Sequence, residues 1–219
     1  YHMDFKNINE QPILKAVNYA NPRVVKGKFF YDKTFDDSNT SRKSVLFSIG
    51  DFFGIRSMNK DNALEMVNWL ADQNIEFIEQ PFPANKLEST YQLKKKSPLD
   101  IYADENSLVS TDIEHIADAF HGINIKLMKC GSLEEGKKMI NMARSQELKI
   151  MLGCMVETSV GITAASHLAG EVDVADLDGN LLIKNDPYKG VDVVNGKLVL
   201  QELNGSGLEL NPEFKHLVL

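Results

Sequence analysis

Cysteine is scarce in this chain. Only Cys130 and Cys154 among the 219 residues carry a thiol, which excludes a disulfide framework and a cysteine-rich zinc site and fits a reducing cytoplasm. Long apolar runs are missing as well. None approaches the roughly 20 residues of a membrane-spanning helix, so a soluble protein with no membrane partner is expected. Residues 1–20 lack a signal-peptide pattern, and a chain that opens on Tyr1 rather than Met is expected to be a trimmed fragment. Positive charge is in deficit: 24 Lys and Arg stand against 31 Asp and Glu, a formal net charge of −7. That balance argues against general nucleic-acid binding and against attraction to anionic membranes. These counts fix no oligomeric state, and a homo-oligomer stays open. With 43% hydrophobic residues, the chain has enough apolar material for one large core.

What is present is a repeated alternation of short apolar runs and amphipathic segments. "IEFIEQPFP" (75–83) is a β-rich run stopped by Pro81. "KDNALEMVNWLADQ" (60–73) places Ala63, Met66, Val67 and Leu70 at helical spacing. "TDIEHIADAF" (111–120) opens with Thr111 and Glu114 in capping-box spacing and should bury Ile113, Ile116, Ala117 and Phe120. "SLEEGKKMINMARSQE" (132–147) repeats the device with Ser132 and Glu135. A strand "LKIMLGC", a small-residue helix "SVGITAASHLAGE" and a strand "VADLDG" (174–179) follow.

The polar or small residues that end the apolar runs are regularly spaced. Lys28, Asp51, Glu79, Asp104, Lys126, Gly153 and Asp176 lie 23, 28, 25, 22, 27 and 23 residues apart. Such a period reads as βα units on a parallel sheet. One more period back reaches "YHMDF" at the start, a candidate eighth strand. The expected fold class is therefore α/β, a (β/α)₈ TIM-type barrel, with functional residues at the C-terminal ends of its strands. Residues 1–186 form the expected barrel domain and 187–219 a tail outside its period. "FFYDKTFDDSNTSRKS" (29–44) is polar and capless where the second helix belongs, so a loop or stunted helix is expected. In the tail, two alternating runs meet at Asn195-Gly196, a hairpin signal.

Asp51, Glu79 and Asp104 end consecutive expected strands. Three carboxylates at one barrel mouth form a hard-oxygen site suited to Mg²⁺; without a cation they would repel, and at least one would tend to protonate. Read singly, each is an ordinary solvated strand-end acid. Lys28 and Lys126 lie on either side of them in the strand order. An amine near a divalent cation and a second amine has its pKa lowered and can act as a neutral base. Lys26, two residues from Lys28 and on the same strand face, supplies that second amine on the substrate side; its ordinary reading is a snorkelling lysine. Lys129 competes less well with Lys126, because its odd offset aims it at the opposite face of a regular strand. Asp176 and Asp178 share one face of "DLD". They either bind a cationic substrate group such as an ammonium or belong to an Asx-type turn with Gly179.

Together "KGK" (26–28), "FIEQPFP" (77–83), "YADENS" (102–107), "NIKLMKCGSLEEG" (124–136), "MLGCMVETSVGITAASHLA" (151–169) and "DLDGNLLI" (176–183) resemble the enolase superfamily in its muconate-lactonizing subgroup, most closely the dipeptide epimerases of the L-Ala-D/L-Glu type. The resemblance implies a Mg²⁺-assisted 1,1-proton transfer through an enediolate. In it, Glu79, Asp104 and a third ligand hold the metal, Lys28 and Lys126 serve opposite faces of the α-carbon, and Asp176 and Asp178 hold the amino terminus of a dipeptide. Two departures stand out. The family's third-strand pattern reads Asp-x-Asn followed by Gln-Gly, whereas this chain has "SIGDFFGI" (48–55), with Phe53 in place of the Asn; Asp51 is the only acid there, and aligning on Gly54 would place Gly50 at the ligand position instead. The family's N-terminal α+β capping domain is expected to be missing from this chain, and residues 187–219 are expected to be the part that packs against it. The alternatives are a degenerate barrel with a residual ligand site, or another superfamily enzyme such as an o-succinylbenzoate synthase or N-acylamino acid racemase. The "DLD" pair opposes the last, since those substrates lack a free ammonium.

Overall fold

The computed structural model describes residues 47–48, 60–72, 75–194 and 197–218. The expected first strand, the stretch 29–44, and Lys26, Lys28 and Asp51 lie outside them. The chain forms two compact units, the first from Tyr1–Asn106 with Asp118–His121 and the second from Ser107–Ala117 with Gly122–Leu219. In both, parallel strands alternate with helices, as the spacing of strand ends requires.

In the first unit, β1 (Phe47–Ser48), β2 (Phe77–Glu79) and β3 (Asp100–Ala103) pair in parallel, with Glu79 opposite Tyr102. The helix α1 (Lys60–Asp72) follows its hydrophobic spacing closely. Ala63, Met66, Val67 and Leu70 are all buried, and Met66, Val67 and Leu70 each contribute about 1.5–3 kcal/mol by leaving water. A second helix, α2 (Leu87–Lys94), connects β2 to β3. At its end the Lys94 ammonium donates to the Phe120 carbonyl at 2.6 Å, and burial lowers its pKa. That bond ties the returning segment Asp118–His121 to the helix it packs against.

In the second unit, β4 (Gly122–Lys126), β5 (Lys149–Gly153) and β6 (Val174–Ala175) are parallel, with Lys126 opposite Gly153 and Leu152 opposite Ala175. The helices α3 (Ser110–Ile116), α4 (Leu127–Cys130), α5 (Leu133–Ser145) and α6 (Ser159–Ser166) belong to the same unit. Ile123, Ile125, Ile150 and Leu152 are fully buried beneath α5, which contributes Met139, Ile140 and Ala143. The expected strand 174–179 shortens to two residues, because the chain leaves the ladder at Asp176 and turns into the 3₁₀ segment Gly179–Leu182.

Two caps differ from the expected pattern. The helix α3 starts at Ser110, and Asp112 rather than Thr111 closes its first turn, its Oδ2 accepting the Leu108 and Val109 amides at 3.0 Å each. A charged acceptor binds a backbone N–H more strongly than a hydroxyl does, so the turn closes two residues early, with Val109 at the cap. Ile113, Ile116 and Phe120 are buried as expected, while Ala117 is half-buried. At α5, Ser132 Oγ does accept the Glu135 amide at 3.0 Å. The Glu135 carboxylate, however, accepts from Ser110 N at 2.8 Å. It caps the neighbouring helix α3, and that hydrogen bond lowers its pKa.

The tail holds the hairpin that Asn195-Gly196 announced. Here β8 (Asp192–Val194) pairs antiparallel with β9 (Lys197–Val199), while β7 (Tyr188–Lys189) pairs with β10 (Glu209–Leu210). Asp186 fastens the start of the tail to α6, accepting Ser159 N at 2.6 Å and Tyr188 N at 3.1 Å. Val191 N then donates to Thr163 Oγ1 at 2.9 Å. Among the described residues no helix is long and apolar enough to cross a membrane.

Below β5 and β6, Arg144 grips Asp173 with two hydrogen bonds of 2.8 and 3.1 Å, and Asp173 also accepts from Ile150 N at 2.7 Å. The guanidinium holds the Asp173 carboxyl below its usual pKa. Both side chains are about two-fifths exposed, so screening keeps the pair to about 0.5–1 kcal/mol. A depressed carboxyl pKa means that the unfolded chain takes up the proton first. The contribution is therefore complete above about pH 4, the unfolded value, and fades as pH falls through the folded one. Arg144→Ala should lower unfolding free energy by about that amount at neutral pH and flatten the acid limb of stability, as read by urea denaturation from pH 7 to pH 3.

Candidate functional site

In the first unit the chemistry gathers at the ends of β2 and β3. Glu79, the last residue of β2, and Asp104, immediately after β3, are 2% and 5% exposed. Below them on the same face, Phe77 and Tyr102 bring their rings to 4.5 Å between centroids and give the carboxylates an apolar floor. Between the two acids sits Gln80, 1% exposed and in the left-handed region at φ 43°. Its amide N–H donates to Tyr102 O at 2.9 Å, and its Oε1 accepts from Asp104 N at 2.9 Å and Asn106 N at 3.3 Å. Its Nε2 donates to Phe82 O at 2.8 Å and Asn106 Oδ1 at 2.6 Å.

In the second unit, Asn124 and Lys126 occupy one face of β4, since residues two apart on a strand point the same way. Asn124 is 1% exposed. Its side chain fills the space above Gly153, where an added Cβ would come within 2.4 Å of Asn124 Oδ1 and 2.8 Å of Nδ2. Position 153 on β5 therefore admits no side chain without displacing the amide. Lys126, opposite Gly153 at the strand end, is half-buried. Lys129 is not on the strand at all: it lies in α4, because β4 ends at Lys126.

Asp176 and Asp178 are half-buried and Leu177 between them is buried, as the alternation requires. Asp176 N donates to Leu152 O at 2.9 Å, holding the acid at the level of the strand ends. Gly179 is needed for close approach, since a Cβ there would fall 2.0 Å from Met155 O. That contact seats the loop 154–158 against "DLDG". Cys154 Sγ lies 3.9 Å from Asp178 Oδ1 as a weak donor. Burial, reinforced by Asp176 and Asp178, pushes its thiol pKa up to about 12, so Cys154 stays protonated and is no nucleophile. Glu157 folds back on its own loop, accepting Met155 N at 3.0 Å.

The structure thus brings Glu79 and Asp104 together on neighbouring strands of the first unit. It places Lys126, Asp176 and Asp178 at or just beyond strand ends of the second. Lys26, Lys28 and Asp51 lie outside the described residues. Among the described residues no three His, Cys, Asp or Glu side chains cluster as a metal site; the expected trio is represented by its two described members. Sequence reading missed Gln80 and the Asn124–Gly153 fit. A glutamine before a proline carries no local sign of a left-handed backbone, and a glycine at a strand end has many uses.

The sequence pattern described as "Enolase C-terminal domain-like" matches residues 54–214. The chain is 47% identical over 150 residues to an L-Ala-D/L-Glu epimerase of Bacteroides thetaiotaomicron, covering 68% of this chain and 39% of that protein. It is 40% identical over 154 residues to a hydrophobic dipeptide epimerase of a Flavobacteria bacterium, covering 70% and 44%. Among solved structures it is similar to a dipeptide epimerase of Enterococcus faecalis complexed with Mg and the dipeptide L-Leu-L-Tyr, with 33% identity, a TM-score of 0.64 and coverage of 70% and 46%. The chain spans less than half the length of each of these three proteins.

The Asn124–Gly153 fit is directly testable. Gly153→Ala should cost about 1–3 kcal/mol through overpacking of a buried amide. The double variant with Asn124→Ala should cost less than the sum of the two single changes, as a double-mutant cycle of denaturation midpoints would show.

Proposed function

Because the chain belongs to the Enolase C-terminal domain-like family, we propose that it is the barrel portion of a Mg²⁺-dependent dipeptide epimerase, an isomerase that inverts the α-carbon of one residue of a dipeptide. The observation that carries this reading is the buried pair Glu79 and Asp104 at adjacent parallel strand ends. Their donor chemistry fits a hard divalent ion, since both are carboxylates and stand at neighbouring strand ends. Asp51 is proposed as the third ligand. When bound, Mg²⁺ supplies positive charge that favours the enediolate form of the substrate.

The chain's own residues do the rest. Neutral Lys126 takes the α-proton from one face, and the C–H electron pair moves into the adjacent carboxylate-like group to give the enediolate. Lys28, as an ammonium, returns a proton to the opposite face, which inverts the centre; in the reverse direction the two exchange roles. Lys26 beside Lys28 lowers its affinity for the proton. Asp176 and Asp178 accept hydrogen bonds from the substrate's ammonium, and the loop 154–158 borders that subsite. Residues 187–219 are proposed to pack against a capping domain, consistent with the exposed apolar Val193, Val194, Val199 and Leu200.

A second reading has one observation in its favour. Phe53 stands where the family pattern carries Asn, so a non-catalytic barrel that binds a ligand without turning it over would look the same around Glu79.

The protein should exchange the α-proton of L-Ala-L-Glu-type dipeptides for deuterium in D₂O with Mg²⁺, followed by proton NMR. Absence of exchange across a dipeptide panel, with Mg²⁺ bound by calorimetry, would sink the epimerase reading and favour the non-catalytic one. Lys28→Ala and Lys126→Ala should each lower exchange from one stereoisomer by about 10²–10⁴-fold; equal residual rates on both would remove them as bases. Asp178→Asn should raise KM for the dipeptide while leaving the Mg²⁺ dissociation constant nearly unchanged.

A further inference from the structure

Gln80 is the most constrained side chain of the first unit. A left-handed backbone is uncommon for any residue with a Cβ, and a following proline biases its neighbour toward extended conformations instead. Such a conformation costs on the order of 1–3 kcal/mol and persists only where the surroundings impose it. Here they do. The backbone amide of Gln80 bonds to β3 at Tyr102 O. The side-chain amide accepts from Asp104 N and Asn106 N and donates to Phe82 O and Asn106 Oδ1. Both ends of that amide are thus saturated at 1% exposure.

The position of this clamp is as telling as its strength. Gln80 directly follows Glu79, so its backbone turn sets where Glu79 sits at the end of β2. Its Oε1 holds the main-chain N–H of Asp104, so the same side chain sets where Asp104 leaves β3. One residue therefore fixes both carboxylate-bearing backbones relative to each other. A purely structural turn at the end of β2 would be satisfied by a glycine, which adopts positive φ at no steric cost.

We propose that Gln80 is a positioning residue for the divalent cation. By fixing the backbones that carry Glu79 and Asp104 it limits how far the two carboxylates can adjust to a larger ion, and so sets selectivity for Mg²⁺ over Ca²⁺. This rests on the reading of Glu79 and Asp104 as metal ligands. Mg²⁺ requires near-ideal geometry at 2.0–2.1 Å, roughly, whereas Ca²⁺ accepts longer and more variable bonds. Loosening the two carboxylates should therefore penalise Mg²⁺ selectively. Supporting partners of metal ligands typically contribute about 10–100-fold in affinity.

The experiment is calorimetric titration of the protein with Mg²⁺ and, separately, Ca²⁺, with thermal melts to establish folding. Gln80→Gly keeps the backbone free to turn but removes the amide. Its Mg²⁺ affinity should fall at least about tenfold while its Ca²⁺ affinity falls far less. Asn106→Ala removes one acceptor of the Gln80 amide and should shift the same ratio in the same direction by a smaller factor; it decides the matter if Gln80→Gly does not fold. Equal losses for both ions, or no loss, in a folded variant would overturn the role of Gln80 and leave the metal site standing. A parent protein that binds neither ion would overturn the metal site and this inference with it.

Discussion

Parallel pairing ties the end of one strand to the end of its neighbour, and every chemical feature of this protein depends on that registration. Once Glu79 stands opposite Tyr102, Asp104 emerges two residues further along the adjacent strand. Once Lys126 stands opposite Gly153, the amide of Asp176 reaches the Leu152 carbonyl. A slip of one residue would turn each of these side chains to the other face of its sheet. The apolar residues between them prevent the slip, since Ile78, Ile101, Ile123, Ile125 and Ile150 are fully buried. Core packing is thus what aims the polar ends.

The strand ends are further shaped by features that cost local stability. Gln80 accepts an unfavourable backbone conformation and recovers the cost through a saturated amide. Gly153 and Gly179 surrender side chains so that Asn124 and the Met155 carbonyl can approach. Each of these departures lies at or just beyond the end of a parallel strand, beside the side chains proposed to act. The same economy appears in Asp186, one carboxylate that both starts α6 and anchors the tail.

Much of this was legible in the sequence, and unevenly so for a physical reason. The helix over 60–72 and its buried positions follow from spacing alone, because hydrophobic burial depends on which face a residue occupies and little else. The strand ends Glu79, Asp104 and Lys126 follow from a period in the twenties, set by the length of a strand plus its returning helix. The caps were less legible. Thr111 and Glu114 have the right spacing, yet Asp112 closes the turn, and Glu135 turns away from its own helix to cap α3. Competing acceptors within reach of one N–H differ by about a kilocalorie per mole, which no short pattern resolves.

The sequence by itself determined the α/β alternation, the core face of each helix, the hairpin in the tail and the identity of the acids and lysine that end the strands, because these are properties of neighbours along the chain. Only the tertiary structure decided that Gln80 turns left-handed to join β2 to β3, that Asn124 occupies the space above Gly153, and that Cys154 is a half-buried thiol held protonated beside Asp176 and Asp178. Each of those depends on atoms brought close by strand pairing from more than twenty residues away, and a contact made across a sheet leaves no periodic trace in the sequence on either side of it.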